Sequence, residues 1–140
     1  MDTNLDLIRH KLSFNPDHLA KVEINHYDKD DDIISLAVAK GCVTNSFLIA
    51  HAIADCEQVY GAVICYVDTQ PPIVIEHVWN CMGGQHFDLT YQNLDAESEY
   101  DDEYSYYSLF SHAPDLRQDQ ALDFKDFRRD TGYKKYFSYR

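Results

Sequence analysis

Residues 59–91 leave this chain little choice of architecture. VYGAVICYV (59–67), IVIEHVWN (73–80) and QHFDLTY (85–91) are rich in Val, Ile, Tyr, Phe and Thr, and DTQPP and CMGG separate them. Such segments divided by turn formers read as antiparallel strands. Just ahead lies GCVTNSFLIAHAIADC, in which Phe47, Leu48, Ile49, Ala52, Ile53 and Cys56 recur at spacings of three and four. That period predicts a helix opening at Cys42. The expected class is α+β, with N-terminal helices packed on an antiparallel sheet of at least three strands.

The turn at CMGG permits a test of register. Centring the hairpin between Met82 and Gly83 pairs Asn80 with Gln85, Val78 with Phe87 and Glu76 with Leu89, and sets His77 opposite Asp88. Opposed side chains on one face have Cβ atoms roughly 4.5–5.5 Å apart, close enough for a carboxylate to hold an imidazole. Val74, Val78, Phe87, Leu89 and Tyr91 then collect on the other face as a core-forming set. Cys42 starts its helix, where the dipole favours a thiolate. A cysteine nucleophile needs that setting, an adjacent imidazole, and a third group to fix the imidazole's tautomer. Cys42, His77 and Asp88 are candidates for the three roles. An oxyanion also needs backbone donors, and the N–H of Cys42 is one choice.

These residues resemble a known superfamily. Cys42-Val-Thr-Asn45, Tyr60-Gly61 leading a strand, Pro72-Ile-Val-Ile-Glu-His77-Val-Trp79-Asn80 and Phe87-Asp88-Leu-Thr90 are similar to motifs of the papain-like and transglutaminase-like cysteine hydrolases. The nearest likeness is to small bacterial and phage members with Cys-x-x-Asn, His-x-Trp and Asp-x-Thr. The resemblance implies a papain-like core, with Cys42 as nucleophile, His77 as general base and Asp88 as the orienting acid.

Three neighbours are candidates for support. Trp79 follows His77 on one strand face and would shield the imidazole pair, although ordinary core explains it equally. Asn45 lies three residues after Cys42 on the helix, and Thr90 would flank Asp88. Cys81 and His86 form a Cys-x4-His pair that matches no strong zinc signature. No metal or cofactor is expected.

At 140 residues the chain fits one domain. No apolar run approaches a membrane span, and MDTNLDLIRH lacks the basic start and apolar core of a signal peptide, so a cytoplasmic protein is expected. Cysteines 42, 56, 65 and 81 follow neither a disulfide nor a zinc-knuckle pattern and read as free thiols. A net charge of −12 argues against direct nucleic-acid binding, which rests on Lys and Arg, and for a basic peptide or protein partner.

Elsewhere, Leu5, Ile8 and Leu12 predict a short amphipathic helix over 3–13, and the segment around Val22 to Ile24 fits a helical turn or a strand equally well. The acids of 28–32 suit the first turn of a helix over 31–40, with Gly41 as a joint before Cys42. Six acids between Asp95 and Glu103, with four tyrosines from Tyr100 to Tyr107, read as an acidic, Tyr-rich loop or flap over 92–113. Pro114 suits the first turn of a basic C-terminal helix and tail over 114–140, which carries seven of the twelve bases.

The leading expectation is an intracellular cysteine hydrolase or acyl-transferase acting on an amide, isopeptide or thioester. A second expectation, of another class, is a non-catalytic acidic inhibitor or binding protein on the same scaffold, for example a phage-borne one. It would use Asp101, Asp102 and Glu103 to block a basic or nucleic-acid-binding partner.

Overall fold

The computed structural model describes residues 3–29, 31–35, 41–66, 70–96, 103–114, 124 and 127. Among these, the chain runs α1 (Thr3–Leu12), a 3-10 turn (Pro16–His18), β1 (Ala20–Val22), α2 (Asp31–Ile34), α3 (Cys42–Ala52), β2 (Cys56–Tyr66), β3 (Ile73–Met82), β4 (Gln85–Phe87), α4 (Leu89–Ala96) and β5 (Glu103–His112). The strands form one five-stranded antiparallel sheet in the order β1-β5-β2-β3-β4. The class is α+β, as the strand and helix patterns require. Among the described residues no helix is long and apolar enough to cross a membrane.

β2 is the middle strand and is buried on both sides, which is why it reads as a nearly unbroken apolar run rather than an alternating one. Tyr60, Ala62 and Ile64 face a core shared with Ile8, Phe14, Val43, Val78, Tyr107, Phe110 and Phe127. Val59 and Val63 face the opposite way and pack with Trp79, Cys81 and Tyr106. Tyr60 sits at the centre of an aromatic cluster with Phe14, Phe110 and Phe127, and its hydroxyl donates to Glu76.

Two glycine positions decide how the strands meet. Gly83 and Gly84 have φ of +57° and +79°, the pair of positive values that a two-residue type I′ hairpin turn demands. Gly61 solves a problem of space. A Cβ there would lie 2.0 Å from the carbonyl oxygen of Tyr107 and 2.9 Å from the Trp79 ring. The register between β2 and β5 shifts at Tyr60/Gly61, so the bare backbone lets β5 and the indole close over the same spot.

Several expectations change here. The two glycines, rather than Met82 and Gly83, form the hairpin turn, so the pairs are Asn80 with Phe87, Cys81 with His86 and Met82 with Gln85. QHFDLTY is a strand only through Phe87; Asp88 then caps α4. The acidic segment expected as a loop over 92–113 contains the end of α4 and all of β5, an internal strand of the sheet. Its charges precede or open the strand, whereas the tyrosines and Leu109–Phe110 supply the pleated, half-buried surface that strands need.

Cys56 opens β2 instead of closing the Cys42 helix, which ends where the Ile53 N–H donates to the Ile49 carbonyl. The buried side of α3 is Val43, Asn45, Ser46, Ile49 and Ala50, whereas Leu48 is 37% exposed. Polar residues hold buried places because each is satisfied. Asn45 donates to Thr90 Oγ1 (3.0 Å), Ser46 accepts from the Gln58 amide (2.9 Å), and Asn80 donates to the Ser46 carbonyl (2.9 Å). Val22 resolves as the end of a strand and Ile24 as an isolated bridge to His86. The expected helix over 31–40 is described only as α2, with 36–40 outside the described residues. Of the helix and tail expected over 114–140, Pro114, Phe124 and Phe127 are described and the rest lies outside the described residues; both phenylalanines lie against Tyr60.

Candidate active site

Cys42 is the first residue of α3 and is half-buried. Gly41 caps the helix without a side-chain hydrogen bond, so the first-turn N–H groups have no side-chain acceptor there. The Gln58, Ser46 and Asn80 bonds fix the helix beneath the thiol against β2 and β3.

His77 lies on β3 opposite Gly61. The last β3–β4 pair is Asn80 with Phe87, so β3 has no β4 partner beside His77. Asp88 comes to the imidazole by another route. As the chain leaves β4 it turns into α4, where Asp88 is the N-cap: its carbonyl accepts from the Gln92 N–H (3.0 Å) and its Oδ1 from the Tyr91 N–H (3.4 Å). Its other oxygen, Oδ2, accepts from His77 Nε2 at 2.8 Å, and both side chains are 2% exposed.

With Nε2 held by Asp88, Nδ1 is the imidazole nitrogen left to Cys42, which is within hydrogen-bonding reach of the ring. Burial opposes charge on the ring. The Asp88 carboxylate and its hydrogen bond overcome that opposition, Cys42 adds to them, and the His77 pKa rises to about 10. At neutral pH the imidazole is therefore a cation between a carboxylate and a sulfur. Of the other thiols, burial pushes Cys56 up to about 11 and also raises Cys81, while Cys65 is buried.

Two residues of this arrangement escaped the sequence reading. Tyr106, assigned there to a solvated loop, donates its hydroxyl to Asp88 Oδ2 at 2.5 Å. Burial, then the carboxylate, raises its pKa, so it remains a protonated donor. Tyr91, read as core, lies flat on the imidazole with ring centroids 4.5 Å apart and 7° between planes. The available signal was the alternation of Tyr104 and Tyr106, whose spacing of two puts them on one face of a strand.

The supporting candidates are near the site in different ways. Trp79 is buried, with its ring centroid 6.1 Å from that of His77, and its indole N–H donates to His86 Nδ1 at 3.0 Å. Asn45 and Thr90 bond to each other, tying α3 to α4. Thr90 belongs to the first turn of α4 and not to a strand. No group of three or more metal-ligating side chains occurs among the described residues. Of the acidic set Asp101, Asp102 and Glu103, only Glu103 is described, as the exposed first residue of β5. Comparison with protein-family models, curated proteins and solved structures found no match.

Proposed function

We propose that the chain is a cysteine hydrolase or acyl-transferase with a papain-like core, acting on an amide, isopeptide or thioester through Cys42, His77 and Asp88. One observation carries the reading: a single buried imidazole reaches the half-buried sulfur of a helix's first residue on one side and a carboxylate on the other. That combination supplies a nucleophile, a proton carrier and an orienting acid.

In this reading the Cys42 sulfur attacks the substrate carbonyl carbon, forming a C–S bond while the carbonyl π electrons move onto oxygen. The Cys42 N–H, at the positive end of α3, is a donor for that oxyanion. As the tetrahedral species collapses, the bond to the leaving group breaks and His77 gives its Nδ1 proton to the departing amine or thiol. The neutral imidazole then takes a proton from water, or from an acceptor amine, as that group attacks the acyl-enzyme. Cleavage of the C–S bond returns the sulfur and a protonated His77. Asp88 keeps the Nε2–H in place throughout. A cationic peptide or protein suits a chain of net charge −12 as substrate.

The test is competitive labelling with a limiting haloacetamide, read by peptide mass spectrometry. Cys42 is expected to react well ahead of Cys56, Cys65 and Cys81, and His77→Ala to remove that lead. Labelling of Cys42 no faster than Cys65 in the folded protein would end the proposal.

A further inference from the structure

Asp88 also borders a cavity of about 420 Å³ lined, among the described residues, by Ile24, Asn25, His26, Tyr91, Gln92, Tyr104 and Tyr106. Its volume falls within the range of roughly 300–1,000 Å³ usual for small-ligand sites. Its walls are tied in place. The Tyr27 N–H donates to Gln92 Oε1 (2.9 Å), the Gln92 amide donates to the Tyr27 carbonyl (2.8 Å), and the Asn25 N–H donates to the His86 carbonyl (2.8 Å). The loop after β1 is thereby clamped to α4 and β4, so the cavity is built before any ligand arrives.

Its chemistry is that of an acceptor-rich aromatic cup. Tyr91 and Tyr104 stack with centroids 5.1 Å apart. Their hydroxyls approach that of Tyr106 closely enough to oppose its ionisation. Among the described residues no Lys or Arg lines the space. Asp88 contributes a buried carboxylate whose two oxygens are used unequally. Among the described residues Oδ2 accepts two short bonds, from His77 and Tyr106, whereas Oδ1 accepts one, from the Tyr91 N–H at 3.4 Å. An ionised carboxylate oxygen can accept more than that, and charged donors make its strongest bonds. Tyr91 is already stacked with both His77 and Tyr104, so a cation would meet the rings of Tyr104 and Tyr106 and the tyrosine hydroxyls, which favour the same kind of guest.

We propose that this cavity is a binding site for an N–H-bearing organic cation of the alkylguanidinium or alkylammonium type, with the cationic head bonded to Asp88 Oδ1 and packed among Tyr91, Tyr104 and Tyr106. The site does not depend on the sulfur, so it stands or falls apart from the hydrolase reading.

The experiment titrates the full chain with agmatine, followed by calorimetry and by NMR of the tyrosine ring protons, with tetramethylammonium as a cation lacking N–H donors. Saturable agmatine binding with a Kd on the order of 1 mM is expected, moving the Tyr91, Tyr104 and Tyr106 signals, with tetramethylammonium much weaker. Tyr104→Leu, which keeps bulk and removes the ring, should weaken agmatine about fivefold, and Cys42→Ala should leave its binding unchanged. The wild-type comparison of the two cations decides the matter even if the Tyr104 variant fails to fold. Absence of saturation, equal binding of the two cations, or ring signals that move elsewhere in the protein would overturn the assignment.

Discussion

Asp88 serves two structures at once, and its neighbours show the result. It caps α4 through Oδ1 and its carbonyl, and it holds an imidazolium and a phenol through Oδ2. The His77 ring titrates near 6.5 when unfolded and near 10 in the fold. Its pairing with Asp88 therefore contributes fully below pH 6.5, and the contribution is lost as pH rises from there to about 10. Thermal unfolding followed across that window should show falling stability in the wild type and a flatter profile in Asp88→Asn. At neutral pH Asp88→Asn should cost ~3–5 kcal/mol, the loss expected when one member of a buried charged pair is removed. Tyr106→Phe deletes one charge-assisted donor and keeps the ring, so urea unfolding should report a loss of about 2 kcal/mol. His86 has the opposite sense: burial lowers its pKa, so its neutral form, which accepts from Trp79, is the one the fold favours.

At the scale of elements, the two kinds of glycine make separable predictions. Gly61→Ala puts a methyl group against the β5 backbone and the Trp79 ring, and neither can withdraw without parting strands. A loss of about 3 kcal/mol, measured by denaturant unfolding, is expected, with broadened signals along β2 and β5. Gly83→Ala has open space around the new methyl and only a positive φ to tolerate, so roughly 1 kcal/mol is expected by the same measurement. The hairpin also explains which part of the site was legible. The strands and the helix start were plain from composition and period, and they carried Cys42 and His77. The turn lies one residue later than the expected register has it, which shifts the pairing by two and keeps 85–87 on the expected faces, whereas 88–91 leave the sheet and Tyr91 turns to the imidazole. Asp88 was therefore identified as the imidazole's partner for the wrong local reason, because a capping aspartate and a strand aspartate look alike before a Leu-Thr pair. Asn45 and Ser46 were illegible as buried residues because their partners, Thr90, Gln58 and Asn80, are distant in sequence.

On the scale of the molecule, charge and topology pull in different directions. A net charge of −12 on 140 residues strains any compact state by self-repulsion. Raising salt from tens of millimolar to about 0.5 M shortens the screening length and should raise the melting temperature, an effect that chloride and other weakly interacting anions should share. A melting temperature that falls with added salt would instead point to favourable surface ion pairs outweighing the repulsion. The tyrosines of 104–107 were obscured by that same charge: six acids nearby outweighed an alternation that belongs to an internal strand.

β5 enters the sheet between β1 and β2, yet it follows every other described strand. While the polypeptide emerges from a ribosome, the edge of β2 stays bare until residue 112 has cleared the exit tunnel, and only then can Tyr106 meet Asp88. Between the appearance of Asp88 and the arrival of β5 the nascent protein thus has its carboxylate only partly clamped and an open strand edge on offer, a period in which chaperone cover counts most.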